Sequence, residues 1–329
     1  MADILATIAI PTYNRAKLLQ KTLECMTSQD TKGKFNYEIL VIDDGSTDRT
    51  RAVIKDAQDK FHGRLRYIWQ EGEGYTHALN VAVREFTGEW LAFFDDDQIT
   101  HASWLSQLLQ AAGQQNAKMV GGPIVLDLPE EILARIGPVC RDIFGESPDI
   151  RDPQAYKQTP PFPSGGNRMV HRSVFELVGD FDENMLTGGC DRDFLLRAIA
   201  LGVPMGWARG AVARHIIDPA RFTPGHIKWY SLQWGCAFAY TDWKRWGGLK
   251  TCIACIARIG QALVINLPMF FYHKAKGDEA GEMDRRALLW RAVGYSRKTL
   301  NLLSPGIFPQ NSFFEQVEFR RIRKTAQPA

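Results

Sequence analysis

Hydrophobic positions in the first half of the chain fall into short β-rich runs, with helically spaced stretches between them. The runs cover 4–10, 37–42, 64–69 and 90–94; the helical stretches cover 16–29, 50–62 and 76–86. Such alternation predicts an α/β fold, a mostly parallel sheet flanked by helices. Ile39-Leu40-Val41-Ile42 and Leu91-Ala92-Phe93-Phe94 are apolar at every position, as strands covered on both faces must be. Right-handed crossovers bring the loops that follow these strands to one edge of the sheet.

The pattern then loosens. Residues 143–163, rich in Pro, Asp and Gly, read as a long loop able to order over a ligand. A short strand is predicted over 165–170, a helical turn over 172–178, and a helix over 191–201 stopped by Gly202. After 223 the chain becomes aromatic and basic, with Trp229, Tyr230, Trp234, Phe238, Tyr240, Trp243 and Trp246. Residues 249–272 are largely apolar but carry Lys250, Arg258, Gln261, Asn266 and Pro268. No apolar piece there reaches the ~20 residues of a spanning helix, so a core or interfacial helix is expected.

Composition narrows the class. With 329 residues, 45% hydrophobic and 11% aromatic, the chain can bury a sizeable core, which excludes disorder, collagen and coiled coil. Its six cysteines are scattered and no apolar leader follows Met1, so free thiols and a cytoplasmic, reducing location are expected. Residues 1–240 hold 25 Lys and Arg against 30 Asp and Glu, a balance of −5, whereas 241–329 hold 15 against 7, a balance of +8. The first part lacks the basic, aromatic-interleaved signature of a nucleic-acid reader, so nucleic acid is not an expected partner. The basic part suits an anionic membrane surface, as does the cluster Arg320-Arg321-Ile322-Arg323-Lys324, which could equally be a solvated end.

Polar clusters sit where the strands end: Thr12-Tyr13-Asn14-Arg15, Asp43-Asp44-Gly45-Ser46-Thr47-Asp48 and Asp95-Asp96-Asp97. Open α/β sheets bind ligands at that edge. Three carboxylates after a buried strand suit Mg2+ or Mn2+, the plainer reading being a solvated acidic turn. In Gly188-Gly189-Cys190-Asp191-Arg192-Asp193, Asp191 begins a helix and could act as a base, cap the helix, or both. Cys252-Ile253-Ala254-Cys255 lacks a second ligand pair and reads as buried thiols.

Together these segments resemble the family 2 glycosyltransferases, inverting enzymes of GT-A fold that use nucleotide-sugar donors. The resemblance runs through Ile8-Ala9-Ile10-Pro11-Thr12-Tyr13-Asn14-Arg15, Val41-Ile42-Asp43-Asp44-Gly45-Ser46-Thr47-Asp48, Phe93-Phe94-Asp95-Asp96-Asp97, Gly165-Gly166-Asn167, Gly179-Asp180-Phe181-Asp182-Glu183 and Asp191-Arg192-Asp193-Phe194-Leu195-Leu196-Arg197. It implies a catalytic domain over 1–222, with a Rossmann-like nucleotide-binding half (1–97) and an acceptor half (98–222), and a helical extension over 223–329. By the same resemblance, Pro11, Thr12, Tyr13 and Arg15 line the nucleotide pocket, and Asp44, with Asp43, accepts from the base, which points to uracil. Asp95, Asp96 and Asp97 form the Asp-x-Asp motif, with Asp97 the metal ligand and Asp95 towards the ribose or sugar. Gly166 and Asn167 shape the donor and acceptor pocket, Asp191 is the catalytic base, His215 completes the metal shell and Arg221 meets the diphosphate. His77, His101, His171 and His226 are read as structural.

Two departures from the family stand out. Cys190 replaces the Glu before the base, which leaves the orientation of Asp191 without its usual support. Asp242-Trp243-Lys244-Arg245-Trp246 has Asp where processive members have Gln, which implies one sugar per encounter. The expected function is a metal-dependent inverting hexosyl transfer from a nucleotide sugar, UDP-sugar foremost, to a glycan, glycolipid or other hydroxyl acceptor. It would serve cell-surface polysaccharide or glycolipid synthesis, peripherally on the cytoplasmic face of the membrane. The alternatives are a nucleotidyltransferase or other phosphoryl-transfer enzyme, and a non-catalytic nucleotide-sugar-binding membrane scaffold.

Overall fold

Four strands built from apolar and β-branched residues set the frame: β1 (Ile4–Thr12), β2 (Asn36–Asp43), β3 (Leu65–Trp69) and β4 (Trp90–Phe94). The computed structural model describes residues 4–61, 63–147, 162–163, 165–185 and 188–309; positions 148–161 of the predicted loop and the cluster 320–324 lie outside them. β2 is buried from its second residue and β4 throughout, as their unbroken apolar runs predict. Crossover helices α1 (Ala16–Met26), α2 (Thr50–Lys60) and α3 (Tyr75–Glu85) join them. Leu19, Leu23 and Met26 of α1 and Ile54 of α2 enter the same core as Ile8, Ile39 and Val41.

The seven-stranded sheet has the order β3-β2-β1-β4-β8-β6-β9, with β6 at Met119–Gly121, β8 at Asn167–His171 and β9 at Met205–Trp207. β1 to β4 are mutually parallel where they pair, and β8 is antiparallel to both β4 and β6. Register settles where the chemistry lies: Thr12 pairs with Asp43, and Phe94 with Asn167, so the loops after β1, β2 and β4 and the start of β8 share one edge. A second sheet of β5 (Gln98–Thr100), β10 (Ala213–Ile216) and β7 (Ile124–Asp127) sets His215 opposite Gln98. Three- and four-residue strands carry too little periodicity to be read from sequence, and none of these three is in the predicted set.

The described residues divide into two compact units, one drawn from Met1–Asp127, Gly145–Leu186 and Cys190–Ile217, the other from Leu128–Phe144, Thr187–Gly189 and Asp218–Ala329. The second unit is helical: α5 (Glu130–Leu133), α6 (Pro138–Ile143), α9 (Pro224–Gln261), a π-helical turn at Ala262–Asn266, α10 (Leu267–Lys276) and α11 (Glu279–Leu303). Thr223 caps α9 by accepting from His226 N–H, and Asp278 caps α11 by accepting from Gly281 N–H. Gly247, at φ 76° and ψ 174°, breaks α9 into two arms, a conformation that glycine reaches without a Cβ penalty. α11 packs along both arms through close contacts: a Cβ on Gly235 would strike the Arg291 carbonyl, and one on Gly294 the Leu232 carbonyl. Tyr295 donates to Asp242 Oδ2 at 2.9 Å, the Arg258 guanidinium stacks 4.5 Å from the Tyr295 ring, and Asp284 accepts from Val139 and Cys140 N–H.

The expectation for 249–272 needs correcting on two counts. The polar interruptions do not shorten it, since 224–276 is a helical run long and apolar enough, by length and composition, to cross a membrane. Nor is it a core helix. Thr251, Cys255, Ala262 and Asn266 are buried, while Leu249, Ile256 and Val264 on the other side are 78%, 70% and 74% exposed. Lys250, Arg258 and Asn266 interrupt composition without breaking the apolar outer stripe, because a helix sorts residues by face.

Gly294→Ala should lower the stability of the helical unit by about 1–3 kcal/mol, since the added methyl has only the Leu232 backbone to displace. Denaturant unfolding followed by tryptophan fluorescence measures it; an unchanged midpoint would contradict the close crossing.

Candidate active site

The first two loops of the edge lock together before any chemistry is considered. Asn14 sits at φ 49°, in the left-handed region that Asn tolerates. From there its Oδ1 accepts from Thr47 N–H at 2.7 Å, and its own N–H donates to Ser46 Oγ at 2.8 Å. Asp48 ties the starts of two helices, accepting from Ala16 N–H and Thr50 N–H. Asp43 accepts from Ser46 N–H and the Tyr67 hydroxyl, each at 2.9 Å, and Asp44 from Gln70 Nε2 at 2.8 Å and Gly74 N–H at 2.9 Å. Gln70 Oε1 is buried beside Asp44 with no partner among the described residues.

The three consecutive carboxylates have three different surroundings, so a uniformly solvated turn is not what the chain forms. Asp96 is buried and accepts from Thr12 Oγ1 and from Arg15 Nη1, both at 2.7 Å. Asp97 Oδ2 takes the same Arg15 nitrogen at 2.5 Å and lies 3.3 Å from His215 Nε2, which β10 delivers as Ile216 N–H donates to the Asp97 carbonyl. Asp95 has Tyr75 Oη at 3.4 Å and Gln98 Nε2 at 3.3 Å. Burial, reinforced by Asp97, Asp191 and Asp96 and opposed by His215, raises its carboxyl to about 7. Gly166 must be glycine, because a Cβ there would overlap the Asp95 carboxylate. Asn167 acts from beneath: its amide accepts from Trp104 Nε1 at 2.7 Å and donates to the Pro123 and Ala211 carbonyls.

Asp191 lies in the first turn of α8 (Cys190–Ala200). Oδ1 accepts from Arg168 Nη2 at 2.5 Å, and the side chain keeps 24% exposure. Asp193, two residues on, is buried and takes Arg197 Nε at 2.8 Å, while Arg197 also holds the Val178 and Asp180 carbonyls. Cys190 is buried, and burial pushes its thiol up to about 12, so it stays protonated. Arg168 is absent from the residues singled out by sequence; the signal was there, since an arginine inside a strand as apolar as Met169-Val170 must find an anion.

Arg221 belongs to the helical unit, where it donates to the Tyr230 hydroxyl at 2.7 Å and approaches His226, whose pKa burial and the guanidinium lower to about 4. His77 pairs with Glu183 at 3.2 Å, and His171 accepts from Ser173 N–H as the cap of α7 (Arg172–Val178), both structural as expected. Asp242 is buried and accepts from the Tyr295 hydroxyl, whereas Lys244, Arg245 and Trp246 of the same string are exposed. All six cysteines are free thiols.

Comparison with known proteins follows the same segments. The family model described as Glycosyl transferase family 2 matches residues 7–179. The chain is similar to glycosyltransferase AglE of Haloferax volcanii, 27% identical over 215 residues, which make up 65% of this chain and 67% of that protein. It is also similar to validoxylamine A glucosyltransferase of Streptomyces hygroscopicus subsp. jinggangensis, 32% identical over 229 residues, 62% of this chain and 54% of the relative. The chain thus spans between about half and two thirds of the length of these relatives. Among solved structures, mannosyltransferase PcManGT from Pyrobaculum calidifontis, in complex with GDP-Man and Mn2+, matches with a TM-score of 0.61 at 17% identity, covering 88% of this chain and 86% of that one. That likeness is one of fold, the GT-A type. Because the matched span is more than half of the chain and takes in Arg15, both acidic loops and Arg168 on the one sheet edge, the chain belongs to glycosyl transferase family 2.

Proposed function

We propose that the chain is a metal-dependent, inverting transferase that moves one sugar from a nucleotide-sugar donor, a UDP-sugar foremost, to a hydroxyl of a glycan or glycolipid in cell-surface polysaccharide or glycolipid synthesis. One observation carries this reading: the acidic residues of the edge have divided their tasks. Asp96 is committed to Thr12 and Arg15, Asp193 to Arg197, and Asp97 faces His215, while Asp191 remains partly exposed with a second oxygen, Oδ2, that takes no hydrogen bond among the described residues. That oxygen can accept the proton of an acceptor hydroxyl as its oxygen attacks the anomeric carbon. A single displacement inverts that centre.

The donor set fits a divalent ion such as Mn2+ or Mg2+. Asp97 offers a carboxylate and His215 an imidazole, 3.3 Å apart, both donors that Mn2+ or Mg2+ accepts. When bound, such an ion offsets charge gathering on the departing diphosphate. The P. calidifontis structure, with GDP-Man and Mn2+ in the same fold, supports this donor class and ion. For the base, Asp44 accepts its short bonds largely through Oδ1 and has lone pairs left on Oδ2 for an imide N–H, which suits uracil. Phosphoryl transfer is not favoured, because the loop after β1, Pro11-Thr12-Tyr13-Asn14, is no glycine-rich phosphate cradle. Single transfer accords with the structural use of Asp242.

The helical unit suits a membrane surface on the cytoplasmic side. The outer face of 249–272 is apolar and exposed, with Lys250, Lys274 and Lys276 near its ends. It should lie in the interface and not cross the bilayer. α11 runs alongside it, joined through Asn266–Arg285 and Cys255–Ser296, and would drag Arg285, Arg286, Arg291, Arg297 and Lys298 into hydrocarbon.

Asp97→Ala should abolish Mn2+-dependent binding of UDP and leave the melting temperature near the wild-type value. Calorimetric titration of UDP with and without Mn2+ tests it, and equal binding by the variant would remove Asp97 from the metal site. Asp191→Asn should lower turnover by about 10²- to 10⁴-fold with UDP binding retained. Nucleoside diphosphate released from UDP-glucose, UDP-N-acetylglucosamine and GDP-mannose with Mn2+ is the readout; normal release would place the base elsewhere. In flotation, the protein should rise with phosphatidylglycerol vesicles at low salt and less at high salt. Failure to float at any salt would overturn the membrane contact.

A further inference from the structure

We propose that Arg168 is a positioning residue for the transfer reaction, acting through Asp191; the proposal rests on the reading of Asp191 as the base. Arg168 is the second residue of β8, paired on one side with Phe93 of β4 and on the other with Gly121 of β6. Its side chain is 1% exposed. The guanidinium carbon lies 4.8 Å from the Phe93 ring centroid and 5.1 Å from that of Phe181, so aromatic faces cover the cation. Nη2 donates to Asp191, whereas Nε and Nη1 are buried without a partner among the described residues.

An arginine held this way is poor packing. Two unpartnered N–H groups on a buried cation cost more than an apolar side chain of the same volume would. What the position gains is control of one carboxylate. Among the described residues, Tyr75 from α3, Asp95 after β4 and Cys190 on its own helix interact electrostatically with Asp191, and Arg168 from β8 pairs with it directly; of these four only Arg168 is cationic. Arg168, fixed by two rings, pins Oδ1 and so leaves Oδ2 as the oxygen that can meet a hydroxyl. With Cys190 buried and protonated, orientation of the base falls to the strand beneath.

The test is a double-mutant cycle of Arg168→Met, whose stem still fills the gap between the rings, with Asp191→Asn. Arg168→Met should lower kcat about 10²-fold with KM for the sugar nucleotide unchanged, using UDP-glucose, UDP-N-acetylglucosamine and GDP-mannose with Mn2+. The double variant should turn over no more slowly than Asp191→Asn alone, because a positioning residue has nothing left to position. Melting gives a substrate-free readout: Asp191→Asn leaves the buried guanidinium without its anion, so adding Arg168→Met should raise the melting temperature. Arg168→Lys, which keeps the charge and loses the fork, should recover part of kcat, and it takes the place of Arg168→Met in the cycle should the latter not fold. Wild-type kcat in Arg168→Met, or losses that multiply in the double variant while Asp191→Asn is slow, overturns the proposal alone. Wild-type turnover by Asp191→Asn overturns the base reading and this proposal with it.

Discussion

Four carboxylates, Asp95, Asp96, Asp97 and Asp191, crowd one edge of a sheet, and like charges at that spacing cannot all stay ionised without cations or protons among them. The surrounding structure can be understood as the set of answers to this constraint. Arg15 reaches from the loop after β1 to bridge Asp96 and Asp97, which requires that loop to turn sharply at Asn14. The second sheet exists in register to bring His215 to Asp97. Arg168 rises from within β8 to Asp191, and Asp95, left with the least support, is the carboxyl that shifts towards its neutral form.

Much of this was legible in the sequence, for physical reasons that also mark where legibility stops. β2 and β4 announce themselves because strands buried on both faces carry apolar runs, 39–42 and 90–94, and the acidic loops stand out against them. The second sheet is invisible because three residues hold no period, and so the proximity of His215 to Asp97 rested on resemblance and not on pattern. Arg168 lies in a segment that reads as a short apolar strand, and its charge there was legible in principle, since a buried cation demands a counter-charge. For 249–272, counting interruptions along the chain misled, since the relevant variable is the angle around the helix axis.

The helical unit mixes polar and apolar contacts between its helices. Gly235, Gly294 and the Asp242–Tyr295 pair meet there beside buried Leu232, Ala239 and Ala287, while several of its largest aliphatic side chains face outward. Small residues at crossings let backbones approach closely, and the directional bonds of Asp242 and Asp284 fix which crossings form. Packing of this kind does not depend on withdrawing the outer face from a solvent.

That outer face sets a rule for how the chain can vary. A lipid interface is a liquid and has no shape to complement, so it selects for transfer free energy and is indifferent to side-chain branching. If that face lies in lipid, as proposed, Leu249, Ile253, Ile256 and Val264 can exchange freely among aliphatic residues, while Thr251, Cys255 and Asn266, a quarter-turn or more away, meet fixed neighbours and cannot. One helix would thus carry two rates of sequence change, and the boundary between them would trace the waterline.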